Sequence, residues 1–151
     1  FSMMSPALDG FGVVASISLN SSAITVDDST GATANPAIGL PGLSKTVTNV
    51  TVYYEKRGFS ARLSQRRRSD FIGEISGFGA DRALTYVAGE ALLDAQLGYE
   101  FTEGRLKGLG FTLQGINLTN AAYKSYSVVK ERVTDYVKYG KTFLVGANYK
   151  F

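Results

Sequence analysis

The stretch Tyr139-Gly140-Lys141-Thr142-Phe143-Leu144-Val145-Gly146-Ala147-Asn148-Tyr149-Lys150-Phe151 ends the sequence and carries its clearest pattern. Every second residue builds one face from Tyr139, Phe143, Val145, Ala147, Tyr149 and Phe151, interrupted only by Lys141. The residues between them, Gly140, Thr142, Gly146, Asn148 and Lys150, are small or polar, with Leu144 the exception. Side chains that alternate with a period of two belong to a strand with different surroundings on its two faces. A strand of about ten residues with aromatic side chains at both ends has the length and dressing to cross a bilayer at a tilt.

Upstream segments repeat the pattern, making six strand candidates in all. Phe11, Val13, Ala15, Ile17 and Leu19 alternate with Gly12, Val14, Ser16, Ser18 and Asn20. Val50, Val52 and Tyr54 alternate with Asn49, Thr51, Tyr53 and Glu55, and Phe59, Ala61 and Leu63 with Ser60, Arg62, Ser64, Arg66 and Arg68. The fourth is the most regular, with Ala91, Leu93, Ala95, Leu97, Tyr99 and Phe101 against Glu90, Leu92, Asp94, Gln96, Gly98 and Glu100. The fifth, from Leu109, loses its phase at Gly115-Ile116, where a bulge is expected because glycine tolerates unusual backbone angles.

The connections fall into two classes. Glu55-Lys56-Arg57-Gly58 and the Thr102 to Gly108 segment are short turns, whereas the segments from Val26 to Ser44, Ile72 to Gly89 and Thr119 to Lys138 are long and read as loops. Short turns at one end and long loops at the other are the arrangement of outer-membrane barrels, with periplasmic turns and extracellular loops. Since about eight strands is the smallest closed barrel, the chain must meet further strands at both edges. Phe1-Ser2-Met3-Met4 has neither the basic head nor the apolar core of a signal peptide, so the chain is expected to be part of a longer or processed protein.

Composition narrows the chemistry. The sequence has no cysteine and no histidine, which removes disulfides, thiol catalysis and histidine-based triads. No run of about eighteen apolar residues could form a membrane-spanning helix. A net charge of +3 is mild, and Arg66-Arg67-Arg68 on an alternating strand splits between two faces, so no nucleic-acid partner is expected. The glycine-rich Ser76-Gly77-Phe78-Gly79-Ala80-Asp81-Arg82 lacks a P-loop lysine and reads as a turn. Neither catalytic nor metal-ligating constellation is recognisable, and neither enzyme activity nor a cofactor is expected.

The internal segment Asn117-Leu118-Thr119-Asn120-Ala121-Ala122-Tyr123 resembles the Asn-Leu-Thr-Asn-x-x-Tyr motif near the end of TonB-dependent outer-membrane receptors. Tyr53 to Arg62, Arg68-Ser69-Asp70-Phe71, Asp135 to Lys141 and the final Tyr149-Lys150-Phe151 are similar to the same region of that family, particularly its Caulobacter- and Xanthomonas-type branch. Phe143, Val145, Ala147, Tyr149 and Phe151 also resemble the C-terminal signal read by the outer-membrane barrel assembly machinery. The resemblance implies an all-β chain, residues 1–151 being the last six strands of one transmembrane antiparallel barrel of about twenty-two strands. It implies a bacterial outer-membrane location with a periplasmic C-terminus. The implied partners are the remaining strands and a plug, in the same or another chain, and TonB acting through that plug. The parent would import a nutrient, an oligosaccharide first and a ferric siderophore second. The other reading is a structural subunit of a split barrel or larger assembly with no substrate site of its own.

Candidate contacts follow from this expectation. Aromatic rings with carboxylates and guanidinia suit a sugar, so Asp70, Glu74, Asp81, Arg82, Tyr86, Tyr123 and Tyr126 in the long loops are the substrate-contact candidates. Asn117, Leu118, Thr119, Asn120 and Tyr123 are expected to be structural, as a strand exit whose amide side chains satisfy free backbone groups. Arg66 and Arg68 are expected on the polar face. Arg67 falls on the apolar one, near the loop end, where a phosphate of lipopolysaccharide is its candidate partner.

Overall fold

Alternation of apolar and polar side chains produces ten strands in a computed structural model that describes residues 9–25, 37–77, 83–127 and 129–151. The strands are β1 (Phe11–Leu19), β2 (Thr46–Lys56), β3 (Phe59–Arg68), β4 (Phe71–Ser76), β5 (Ala83–Val87), β6 (Glu90–Glu100), β7 (Leu109–Ile116), β8 (Ala122–Ser127), β9 (Val133–Lys138) and β10 (Thr142–Tyr149). All pairings are antiparallel and form two sheets, one ordered β1-β2-β3-β6-β7-β10 and one ordered β4-β5-β8-β9. The first comprises the six expected strands. β1 and β10 are its edges and do not pair with each other, so the sheet is open.

Register converts the pattern of each strand into two faces of the sheet. One row runs Phe11, Tyr54, Ala61, Leu97, Leu113, Val145 across all six strands, and the next runs Val13, Val52, Leu63, Ala95, Gly115, Phe143. On the opposite face the corresponding row is Gly12, Tyr53, Arg62, Gln96, Gln114, Leu144. Nothing among the described residues covers the apolar face: Ile17 is 65% exposed, Phe143 64% and Val145 82%. The buried hydrophobic residues, Ile72, Val87 and Tyr126, all belong to the smaller sheet. Each large apolar side chain left in water forgoes about 1.5–3 kcal/mol of burial.

The four strands β4, β5, β8 and β9 lie within segments expected to be loops. They continue β3, β6, β7 and β10 past a break, and so keep the same neighbour order. The breaks are Ser69-Asp70, Ala88-Gly89, residues 117–121 and residues 139–141. The expected bulge at Gly115-Ile116 is absent: β7 keeps one unbroken register with β10 through Ile116 and with β6 through Gly115. The loss of phase there has another cause. A Cβ on Gly115 would stand 2.9 Å from Leu118 Cδ2 and 3.4 Å from Phe143 Cε1, so Leu118 folds back to fill the apolar row that Gly115 leaves empty. Two real irregularities lie in the smaller sheet, where Gly73 is extra in β4 and Thr134 in β9.

At the turn end the register is pinned by a repeated device. Arg57 and Gly58 both have positive φ (50° and 82°), the requirement of the tightest hairpin between right-twisted strands. Gly10, Gly58 and Gly108, at φ 94°, 82° and 86°, each open a strand. Their carbonyls accept the amides of Glu55, Glu100 and Lys150 at 2.8, 2.8 and 2.9 Å. A Cβ on any of the three would overlap the carbonyl oxygen of that same partner. Each clamp joins strands whose chain connection lies at the far end, β1 to β2, β3 to β6 and β7 to β10. Gly58→Ala should therefore lower the unfolding free energy by at least about 1–2 kcal/mol, the cost of a left-handed residue with a Cβ. Gly146→Ala, which meets nothing within 4 Å, should leave it nearly unchanged; denaturant unfolding compares the two.

Candidate functional site

Two polar hubs hold the line of breaks. The first is Asn117, the residue after β7. Its φ of 55° is left-handed, a conformation asparagine tolerates better than other residues with a Cβ. Its amide NH donates to Asp94 Oδ1 at 2.8 Å, and its side-chain Nδ2 donates to the carbonyls of Gly140 at 2.8 Å and Ala121 at 3.2 Å. Its Oδ1 accepts the Ala121 amide at 2.8 Å. Leu118 NH then reaches the Leu93 carbonyl at 2.7 Å and Thr119 Oγ1 the Ala91 carbonyl at 2.8 Å, while Asn120 repeats the left-handed angle. The Asn-Leu-Thr-Asn sequence thus ties the exit of β7 to β6 on one side and to the entry of β10 on the other. This also occupies Asp94, which sequence reading left facing the polar side.

The second hub is Asp70, between β3 and β4. Oδ1 accepts the Gly89 amide at 2.7 Å, and Oδ2 accepts the Tyr126 hydroxyl at 2.8 Å and the Lys130 ammonium. Partial burial alone would raise the carboxyl. Hydrogen bonds from Lys130, Gly89 and Tyr126, with the charge of Lys130, outweigh that and hold it at about 2. Burial first, then the hydrogen bond to Asp70 and the charges of Asp70 and Tyr86, push the Tyr126 phenol up to about 12. A carboxylate this acidic is a fixed charge and not a general base at neutral pH.

Tyr126 stacks on Tyr86, ring centroids 5.4 Å apart and planes at 12°. The pair and Asp70 line a cleft of about 840 Å³ beneath the described part of the β1–β2 connection. That connection is seated by Gly42 NH on the Ile72 carbonyl at 2.7 Å and is tied to itself by the Ile24–Ile38 bridge. Lys45, Ser21 and Ser22 contribute polar groups to the same cleft. Aromatic faces beside a fixed carboxylate, an ammonium and hydroxyls can hold a polyhydroxylated ligand by stacking and hydrogen bonding.

Of the sequence candidates, Asp70, Tyr86 and Tyr126 converge there. Glu74 and Tyr123 do not: by register they share the opposite face of the smaller sheet, with Val87 and Ser125. Asp81 and Arg82 lie outside the described residues. Arg67 is exposed on the apolar face of β3 between Thr48 and Ala91. Arg68 pairs with Glu90 at 2.9 Å and lies 4.8 Å from the Phe71 ring centroid. Phe143, Val145, Ala147 and Tyr149 line one face of β10, and Phe151 meets Tyr149 edge to face. Sequence reading missed Ser125, almost wholly buried and bonded to Asp135 Oδ2 at 2.7 Å and to Thr134 Oγ1 at 2.8 Å. Its only signal was a hydroxyl between two tyrosines. Among the described residues no group of carboxylates could hold a metal ion.

Asn117→Ala should destabilise the fold by about 3 kcal/mol, combining lost hydrogen bonds with left-handed strain. Asn117→Gly should recover the strain component only, and the two melting curves separate the effects. The Asp70 contacts stabilise fully above the unfolded carboxyl value of about 3.9, and this contribution fades as pH falls through about 2. The Tyr126 contribution is complete below its ordinary value of 10.0 and is lost as pH rises through about 12. Ultraviolet titration of the tyrosines should show one late phenol that moves back toward 10.0 in Asp70→Asn. No protein-family profile, curated protein or solved structure matches the chain.

Proposed function

We propose that the chain is the C-terminal section of the barrel wall of a TonB-dependent active transporter in the bacterial outer membrane. One observation carries this reading: a six-stranded sheet with a continuous apolar face that nothing among the described residues covers. Water is a poor solvent for that face and lipid a good one, while the opposite face, with Arg62, Arg66 and Gln96, suits a wet lumen. Closely spaced strand ends on one side and long hairpins on the other fit periplasmic turns and extracellular loops. Tyr54, Tyr99 and Tyr149 lie in the last three residues of their strands at the turn side, as an aromatic girdle at the inner interface would.

The open edges of β1 and β10 need further strands, since unpaired backbone groups in lipid cost several kcal/mol each. In this reading those strands and a plug complete the barrel. TonB acts on the plug, the assembly machinery reads β10, and lipopolysaccharide surrounds the outer rim. The cleft at Tyr86 and Tyr126 is the contact for imported substrate on the outer side. An oligosaccharide fits its stacked rings and hydroxyls better than a ferric siderophore does.

The test is uptake by cells carrying the whole protein. Labelled oligosaccharide should enter only when the protein and TonB are both present, and Tyr86→Ala should raise the half-saturating concentration about tenfold, or 1.4 kcal/mol. Recovery of the protein in the soluble fraction without detergent would overturn the membrane reading. Uptake unaffected by deleting the protein would reduce it to a structural wall.

A further inference from the structure

Arg67 occupies an unusual position. It belongs to the apolar face of β3, two residues beyond Gln65 and four beyond Leu63, yet lies level with the breaks that separate the two sheets. Its cross-strand neighbours are Thr48 and Ala91. Together with Thr46, Ser69 and Gly89 they line a hollow of about 560 Å³. On the β1 side, Ile17 lies opposite Thr48 and Leu19 opposite Thr46, both strongly exposed, so apolar wall adjoins the hollow.

The charge balance of the hollow leaves one cation over. Arg68 is paired with Glu90, and the charge of Asp70 is matched by Lys130, with Tyr126 and the Gly89 amide also bonded to it. The Arg67 guanidinium has no ion-pair or hydrogen-bonding partner among the described residues, and neither do the Thr46 and Thr48 hydroxyls. A guanidinium on an apolar surface, beside two free hydroxyls and at the end of a bilayer-length strand, matches the depth and chemistry of a phosphate group. An acyl chain attached to that phosphate would run down the apolar rows below it.

We infer that Arg67, Thr46 and Thr48 form a binding site for the phosphorylated headgroup of a membrane lipid. The guanidinium grips two phosphate oxygens with its planar fork, the threonine hydroxyls donate to the headgroup, and the lipid chains lie on Ile17 and Leu93. The inference rests on the membrane reading above and adds to it a fixed lipid at one position of the wall.

Native mass spectrometry of the whole protein in a non-ionic detergent tests it. The probes are phosphatidic acid, diacylglycerol with the same chains, and inorganic phosphate. Phosphatidic acid should be retained over diacylglycerol, and Arg67→Gln should weaken that retention about tenfold. Arg67→Lys, with the charge but not the fork, should fall between. Arg66→Gln, next in sequence but on the opposite face, should behave as the unaltered protein. Equal retention by Arg67→Gln, or an equal loss in Arg66→Gln, overturns the site. Competition by inorganic phosphate alone would make the occupant a soluble anion and overturn the lipid assignment. If both lipids are held alike, the headgroup site falls and the membrane wall stands; if neither is held, both fall.

Discussion

Everything in the larger sheet depends on strand register. A slip of one residue in β3 would carry Arg62 and Arg66 to the apolar side and bring Leu63 to the polar one, and the same slip in β6 would exchange Asp94 and Leu97. In a globular protein a packed core penalises such a slip. Here the large sheet has no core among the described residues, so the penalty must come from the surroundings of each face and from local clamps. The glycines at positions 10, 58 and 108 provide those clamps at one end, one for each pair of strands that no short turn connects.

At the other end the strands do not simply stop. Each of β3, β6, β7 and β10 is interrupted at the same level and resumes in the smaller sheet. An interruption frees backbone donors and acceptors, and side chains must satisfy them. Asn117 does so for the β7 and β10 breaks and Asp70 for the β3 and β6 breaks. Asp70 also reaches β8 through Tyr126, so the group that repairs one break orients the tyrosine pair of the cleft. The candidate site is thus a by-product of how the breaks are closed.

Sequence reading recovered the six strands of the larger sheet because each alternates over about six residues or more. It left the smaller sheet as loops for identifiable reasons. Gly73 and Thr134 insert an extra residue into β4 and β9, which erases the period of two. Both faces are also partly buried, so Phe71 and Ile72, adjacent in sequence, are both apolar. The phase loss at Gly115 was visible but misread, since Leu118 completes the row from three positions away. Aromatic and charged residues in or beside the long segments put Tyr86, Tyr126 and Asp70 among the candidates, and the structure brings these three to one cleft. Their convergence was not legible, because Asp70 and Tyr126 lie 56 residues apart. The same composition gave no means of separating Glu74 and Tyr123, which a single alternation step sends to the other face.

The aligned breaks have an evolutionary consequence. Register is set at the turn end, whereas the hairpins β4–β5 and β8–β9 are joined to the larger sheet only through short repaired joints. Insertions, deletions or exchanged residues beyond those joints leave the rows of the larger sheet untouched. The chain therefore divides into a frame under tight geometric selection and a tip free to diversify, with Asp70 and Asn117 marking the boundary. Variation among descendants of such a sequence should accumulate on the tip side of that boundary, where changes do not require refitting the frame to its surroundings.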